Sequence, residues 1–115
     1  MEFIYQQQIL DHFKNPRHKG ELAGAKITHC EDNVTCGDTI CMYEKNGHYS
    51  FTGTGCAISQ ASASMLLEKI AHDKMTTAQI AMLTTHDILD LVKIPLSPNR
   101  LKCALLALET LQKTI

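Results

Sequence analysis

Four side chains in this sequence combine soft and hard metal-ligand chemistry: Cys36, Asp38, Cys56 and Cys103. Cys36 and Asp38 stand two positions apart in the run TCGDTI, residues 35–40. Three thiolates and one carboxylate suit a tetrahedral site, with Zn²⁺ or iron as the ion. The carboxylate is the hard ligand among soft ones and the easiest to displace. A site with one weak ligand suits delivery and release better than permanent structure. Each residue also has a plainer reading. A single cysteine is commonly a small buried hydrophobe. An aspartate after glycine is commonly a turn or cap residue, and for Asp38 the two readings stand level. No CxxC pair occurs, so spacing does not single out a metal and position in the fold has to decide.

The elements that must do the positioning are legible. Residues 2–14 read as a helix with Phe3, Ile4, Ile9 and Phe13 near helical spacing; Asn15-Pro16 ends it, and residues 17–24 form a loop. Residues 25–30 are a candidate strand. Residues 39–44 and 48–52 are firmer, because Asn46-Gly47 between them is a strong hairpin signal. A helix follows over 57–71, marked by Ile58, Ala61, Met65, Leu66 and Ile70. Thr76 or Thr77 can cap a short helix to Met82, residues 87–92 form another turn or two, and Ser97 or Asn99 can cap a last helix to about 114. The expected architecture is α+β, a small three-stranded antiparallel sheet with helices packed on one face, in a single domain over residues 1–115.

Cys36 then precedes the first hairpin strand, Cys56 stands between the second strand and the long helix, and Cys103 lies in the first turns of the last helix. A thiol near a helix N-terminus faces unpaired N–H groups, which favour the thiolate, the form that is both metal ligand and nucleophile. The last helix has its apolar stripe at Leu101, Ala104, Leu105, Leu108 and Leu111. Cys103 falls off that stripe at about 100° per residue, so it faces something other than the stripe's partner. Three loop–element junctions can converge at one end of a sheet.

Composition narrows the classes. Eleven basic and twelve acidic residues in 115 give a net charge of −1, which offers nothing to nucleic acid or an anionic membrane. No apolar run is long enough to span a bilayer, and the N-terminus lacks a signal-peptide pattern, so the expected compartment is cytoplasmic. Five cysteines in a reducing compartment do not read as a disulfide framework. Cys30 and Cys41 are therefore expected to be structural thiols, Cys41 on a strand beside Ile40 and Met42. Met65, Met75 and Met82 read as core, His12 as a packing or capping residue, and His29 as a possible accessory ligand.

The stretch YQQQILDHFKNPRHKG, residues 5–20, resembles the N-terminal signature of the U-type iron–sulfur scaffold family, which includes the NifU N-terminal domain, IscU and SufU. CGD at 36–38, GCAIS at 55–59 and KCALLALETL at 102–111 resemble the family's three cysteine motifs, in order and at compatible spacings. The resemblance implies an IscU/SufU-like fold and a scaffold. It would receive sulfur from a cysteine desulfurase as a persulfide, bind iron, assemble a labile iron–sulfur cluster and pass it to apo-proteins. Cys36, Asp38, Cys56 and Cys103 would hold the cluster, with Asp38 keeping it labile. The chain would be a monomer or weak dimer and more a scaffold than an enzyme. Lys102 stands where IscU-type members carry histidine, and IPLSPNRLK replaces their Leu-Pro-Pro-Val-Lys segment. Arg100-Leu-Lys-Cys is closer to the SufU type, which binds zinc and accepts sulfur, so the alternative is a zinc-dependent sulfurtransferase with Cys103 or Cys56 taking the persulfide. The insertion usual in SufU before the third cysteine is missing, and the hairpin between Cys36 and Cys56 is short.

Overall fold

A computed structural model describes residues 2–25, 27–34 and 37–115. Helix α1 (Glu2–Lys14) is followed by strands β1 (Ile27–Asn33), β2 (Asp38–Lys45) and β3 (His48–Thr54). Helices α2 (Ala57–Asp73), α3 (Thr77–Ala81), α4 (Thr85–Val92) and α5 (Pro98–Gln112) complete the chain. The strands form one antiparallel sheet in the order β1-β2-β3. The hairpin signal is realised as expected: Asn46 and Gly47 both take positive φ, 52° and 83°, the pair of conformations that a tight two-residue hairpin turn requires.

Alternation along β2 sets up everything that follows. Asp38, Ile40 and Met42 are buried, while Thr39, Cys41 and Tyr43 are half-buried on the opposite face. Successive strand residues point to opposite sides, so β2 has an inner face toward the helices and an outer face away from them. Ile40, Met42 and Phe51 are fully buried on the inner face. Burial of each such side chain is worth about 1.5–3 kcal/mol.

Helix α2 is the central element, in contact with α1, α4, α5 and the sheet. Its sequence suggests one apolar stripe, yet Ile58 through Leu67 are all buried. Alanines and serines make this possible, because they let neighbours approach closely and satisfy their own hydroxyls. Ser62 Oγ donates to Ala104 O at 2.7 Å. Ser64 Oγ lies 2.8 Å from His12 Nδ1 and accepts the Arg17 N–H at 2.8 Å. His12 is thus a buried packing residue, as expected. Burial holds its pKa below the ordinary value, with a further downward push from the Arg17 charge.

Helix starts follow the expected caps: Thr76 forms a capping box with Gln79, and the Ser97 hydroxyl accepts the Arg100 N–H at 3.4 Å. The segment at residues 18–20 joins the far side of β3, where Gly20 N–H donates to Phe51 O and Phe51 N–H to His18 O. Two apolar expectations are corrected. Phe13 is 42% exposed and Met82 79% exposed, because α1 packs on α2 through Ile9 and His12, and Met82 sits at the solvent end of a five-residue helix. The side chains of Phe3 and Ile4 lie outside those described. No helix among the described residues is long and apolar enough to cross a membrane.

Candidate metal centre

One end of the sheet gathers three of the four candidate residues. Asp38 opens β2 and faces inward. Cys56 is the N-cap of α2, two residues after β3 ends. Cys103 lies in the second turn of α5, 1% exposed. The carboxylate of Asp38 and the sulfurs of Cys56 and Cys103 all lie within 4.8 Å of one another. Cys36 lies outside the described residues.

Asp38 is held in place from the α2 side. Its Oδ1 accepts the Cys56 backbone N–H at 2.7 Å, and its Oδ2 lies 3.5 Å from Cys56 Sγ. A carboxylate thus occupies the N-terminus of α2, where unpaired N–H groups favour negative charge. Gly55 makes the approach possible. Its φ is +125°, and a Cβ there would stand 2.0 Å from Asp38 Oδ1 and 2.8 Å from Asp38 Cα. Only a residue without a side chain lets the β3–α2 turn pass over the carboxylate. Ser59 closes the turn, its hydroxyl donating to Cys56 O at 3.1 Å and lying 4.0 Å from Cys56 Sγ. At the end of β1, Asn33 Nδ2 reaches Cys103 Sγ at 4.0 Å.

The donor set fits a cation. Asp38 is 1% exposed, and burying an ionised carboxylate is costly unless opposite charge or several donors compensate. Among the described residues no lysine, arginine or histidine forms an ion pair with it. A tetrahedral ion with metal–sulfur bonds near 2.3 Å and metal–oxygen near 2.0 Å places its donors roughly 3.5–3.8 Å apart. Donors within 4.8 Å of one another need to close by roughly 1.3 Å at most.

Cys103 looks off-stripe in the sequence and is nonetheless buried. Helix α5 packs on two sides, against α2 and α4 and against β1 and β2, and Cys103 belongs to the sheet-facing side. His29 stands beside Glu31, Nε2 to Oε2 3.5 Å, and does not join the Asp38 group. Gly55 and Ser59 stand within the GCAIS motif with no role assigned to them from the sequence, and Asn33 is not singled out there. The run GTGC at 53–56 carried the one available signal, a glycine immediately before a helix-capping cysteine.

The expectation for Cys30 and Cys41 is overturned: they are joined in a disulfide. They face each other directly in the β1–β2 register, on the outer face of the sheet, with Cys30 exposed and Cys41 half-buried. A buried-thiol reading fails because Cys41 shares its strand with Ile40 and Met42 but not their side.

A profile of the NifU-like N-terminal domain matches residues 4–115. The chain belongs to this family. Its NifU-like relatives include the zinc-dependent sulfurtransferase SufU of Bacillus subtilis, 34% identical across the whole of this chain and 91% of that protein. The iron–sulfur cluster assembly scaffold protein IscU of Thermotoga maritima is 37% identical over 64% of this chain and 56% of that protein. Among solved structures, a candidate iron–sulfur cluster assembly scaffold protein for the SUF system from Fervidobacterium islandicum AW-1 superposes with a TM-score of 0.76. It is 26% identical over 98% of this chain and 97% of its own. The three-stranded sheet with helices on one face is thus the fold of this NifU-like domain and its relatives. The alignment with the B. subtilis protein runs over 136 positions against 115 residues here, so that relative carries segments this chain lacks.

Proposed function

We propose that the chain is an iron–sulfur cluster assembly scaffold. It receives sulfur from a cysteine desulfurase, binds iron, holds a small cluster as cargo and passes it to apo-proteins in the cytoplasm. The observation that carries this reading is the buried Asp38 carboxylate beside the sulfurs of Cys56 and Cys103, all within 4.8 Å. Cys36 is the fourth ligand in this proposal.

The residues divide the work by exposure. Cys56 is half-buried and Cys103 is buried, so Cys56 is the more accessible acceptor. Its thiolate attacks the outer sulfur of a desulfurase persulfide. A new S–S bond forms on Cys56, the old one breaks, and the desulfurase cysteine leaves as its thiolate. Cys103 stands next in line to receive the sulfur or complete the ligand set. Asp38 offers an oxygen among thiolates, tied to the Cys56 N–H. It can return to that bond when the cargo leaves, which makes it the release point.

The second reading, a zinc-dependent sulfurtransferase, is favoured by the Arg100-Leu-Lys-Cys103 context and by the function of the B. subtilis relative. Bound zinc would hold the cysteines as thiolates. Elemental analysis of protein purified without oxygen, with Asp38→Ala alongside, separates the two. The scaffold reading expects iron and sulfide together, retained more firmly in Asp38→Ala. Near one zinc per chain without cluster absorbance after anaerobic reconstitution would replace it by the sulfurtransferase. No metal in either protein would leave an adaptor.

A further inference from the structure

The Cys30–Cys41 bond lies where core packing gives it nothing to do. The apolar core occupies the inner face of the sheet, and these two side chains are on the outer one. Their neighbours there are Asp32, Thr39, Tyr43 and Thr52, by register and alternation. Cys30 is the exposed residue of the pair, on the face turned away from the helices.

What the bond encloses matters more. The ring it closes contains residues 31–40, the end of β1, the turn and the start of β2. Three strand pairs lie inside it: Glu31 with Ile40, Asp32 with Thr39, and Asn33 with Asp38. Asn33 reaches the Cys103 sulfur and Asp38 holds the Cys56 N–H. Cys36 lies between them in the sequence. Both arms of the ring therefore touch the candidate centre from the sheet side, while the disulfide locks them together on the opposite face.

We propose that Cys30 and Cys41 form a thiol–disulfide exchange site for small thiols or a dithiol oxidoreductase, and that this site clamps the β1–β2 hairpin bearing Asp38. Reduction proceeds by attack of a thiolate on the sulfur of Cys30, the more exposed residue of the pair. The Cys30–Cys41 bond breaks, a mixed disulfide forms at Cys30, and Cys41 leaves as a thiolate and takes a proton. A second reductant thiol displaces Cys30. Two electrons pass to the protein, and the reductant departs as its disulfide. With the bond open, the three pairs inside the ring can part without the rest of the sheet. With it closed, the open states of the hairpin are fewer. Disulfides that form in reducing compartments are characteristically of this transient, redox-sensing kind.

The test uses the full chain in glutathione buffers from fully reduced to mostly disulfide. Free thiols are trapped by alkylation, linked peptides are mapped by mass spectrometry, and amide hydrogen exchange is followed in parallel. The expected result is that Cys30 and Cys41 are lost to alkylation together and recovered as one linked peptide. Amides in residues 31–40 should exchange about tenfold more slowly in the linked form. The double variant Cys30→Ser, Cys41→Ser should exchange at the reduced rate in every buffer. Absence of the 30–41 link in all buffers, or a link that leaves exchange over 31–40 unchanged, would overturn the proposal. Neither readout uses metal, so failure here and failure of the scaffold reading are separate results.

Discussion

Two groups of cysteines sit on either side of the same strand and live in different chemistry. Asp38 and Cys41 are three residues apart on β2, an odd number, and so face opposite ways. On the inner side, Cys56 and Cys103 meet a buried carboxylate at the start of a helix, with no disulfide between them. On the outer side, Cys30 and Cys41 meet only each other, near solvent. Residue type is identical; strand parity turns Asp38 toward Cys56 and Cys103 and turns Cys41 toward Cys30.

The strongest way to break this comparison is to fill Gly55. In Gly55→Ala the new methyl overlaps Asp38 on the inner side, and the positive φ adds strain. A loss of about 4–5 kcal/mol, or failure to fold, is expected in urea unfolding. Gly20→Ala is the control, with a similar φ of +132° and nothing within 4 Å, and should cost only about 1–3 kcal/mol. Equal losses would mean that Asp38 is not what Gly55 accommodates.

Next comes the metal. Zinc-loaded protein should lose about 4 kcal/mol when a strong chelator strips an ion present at about a thousandfold its dissociation constant. Cys56→Ser should abolish most of that difference, whereas Cys30→Ser, Cys41→Ser should keep it. A chelator effect of the same size in Cys56→Ser would remove Cys56 from the ligand set.

The outer pair has its own signature. Against the oxidised wild type, Cys30→Ser, Cys41→Ser should be less stable by about 2–3 kcal/mol. Against the reduced wild type it should differ by no more than about 0.5 kcal/mol. A variant as stable as the oxidised wild type contradicts the bond.

The smallest effect belongs to neither group and marks their shared support. His12, between α1 and α2, has its pKa lowered chiefly by burial. The unfolded chain then takes up a proton more readily than the folded one. The stability His12 contributes is complete above the ordinary value near 6.5 and falls as pH drops from there through the lowered folded value. The urea midpoint of the wild type should decline from pH 7.5 to 5.5, and His12→Gln should flatten that decline.

Much of this was readable in the chain. Every helix and strand was anticipated within a few residues, because caps such as Thr76 and Ser97 and the Asn46-Gly47 turn act locally. That Cys56 and Cys103 stand at element junctions able to converge is legible in the sequence, whereas for Asp38 the ligand and turn readings stand level there. Two kinds of information were not local. Cys30–Cys41 depends on the register between β1 and β2, which no single strand encodes. Partner surfaces decide the rest: Cys103 is buried because α5 has a second packed side, and Phe13 is exposed because Ile9 and His12 already fill α1's contact with α2.

The short pairing of residues 18–20 with β3 has a further consequence. Phe51 already spends both its outward-facing backbone groups on His18 and Gly20, so a foreign strand finds that border taken. Among the described residues the opposite border, β1, is the one still able to accept another strand; along it Glu31 is paired with Lys113, and Asp32 is an exposed carboxylate whose Oδ1 accepts the Thr39 hydroxyl. The β3 border is closed at Phe51 by backbone already in the chain, and an added strand on β1 would bring a charged side chain, Asp32, onto the seam.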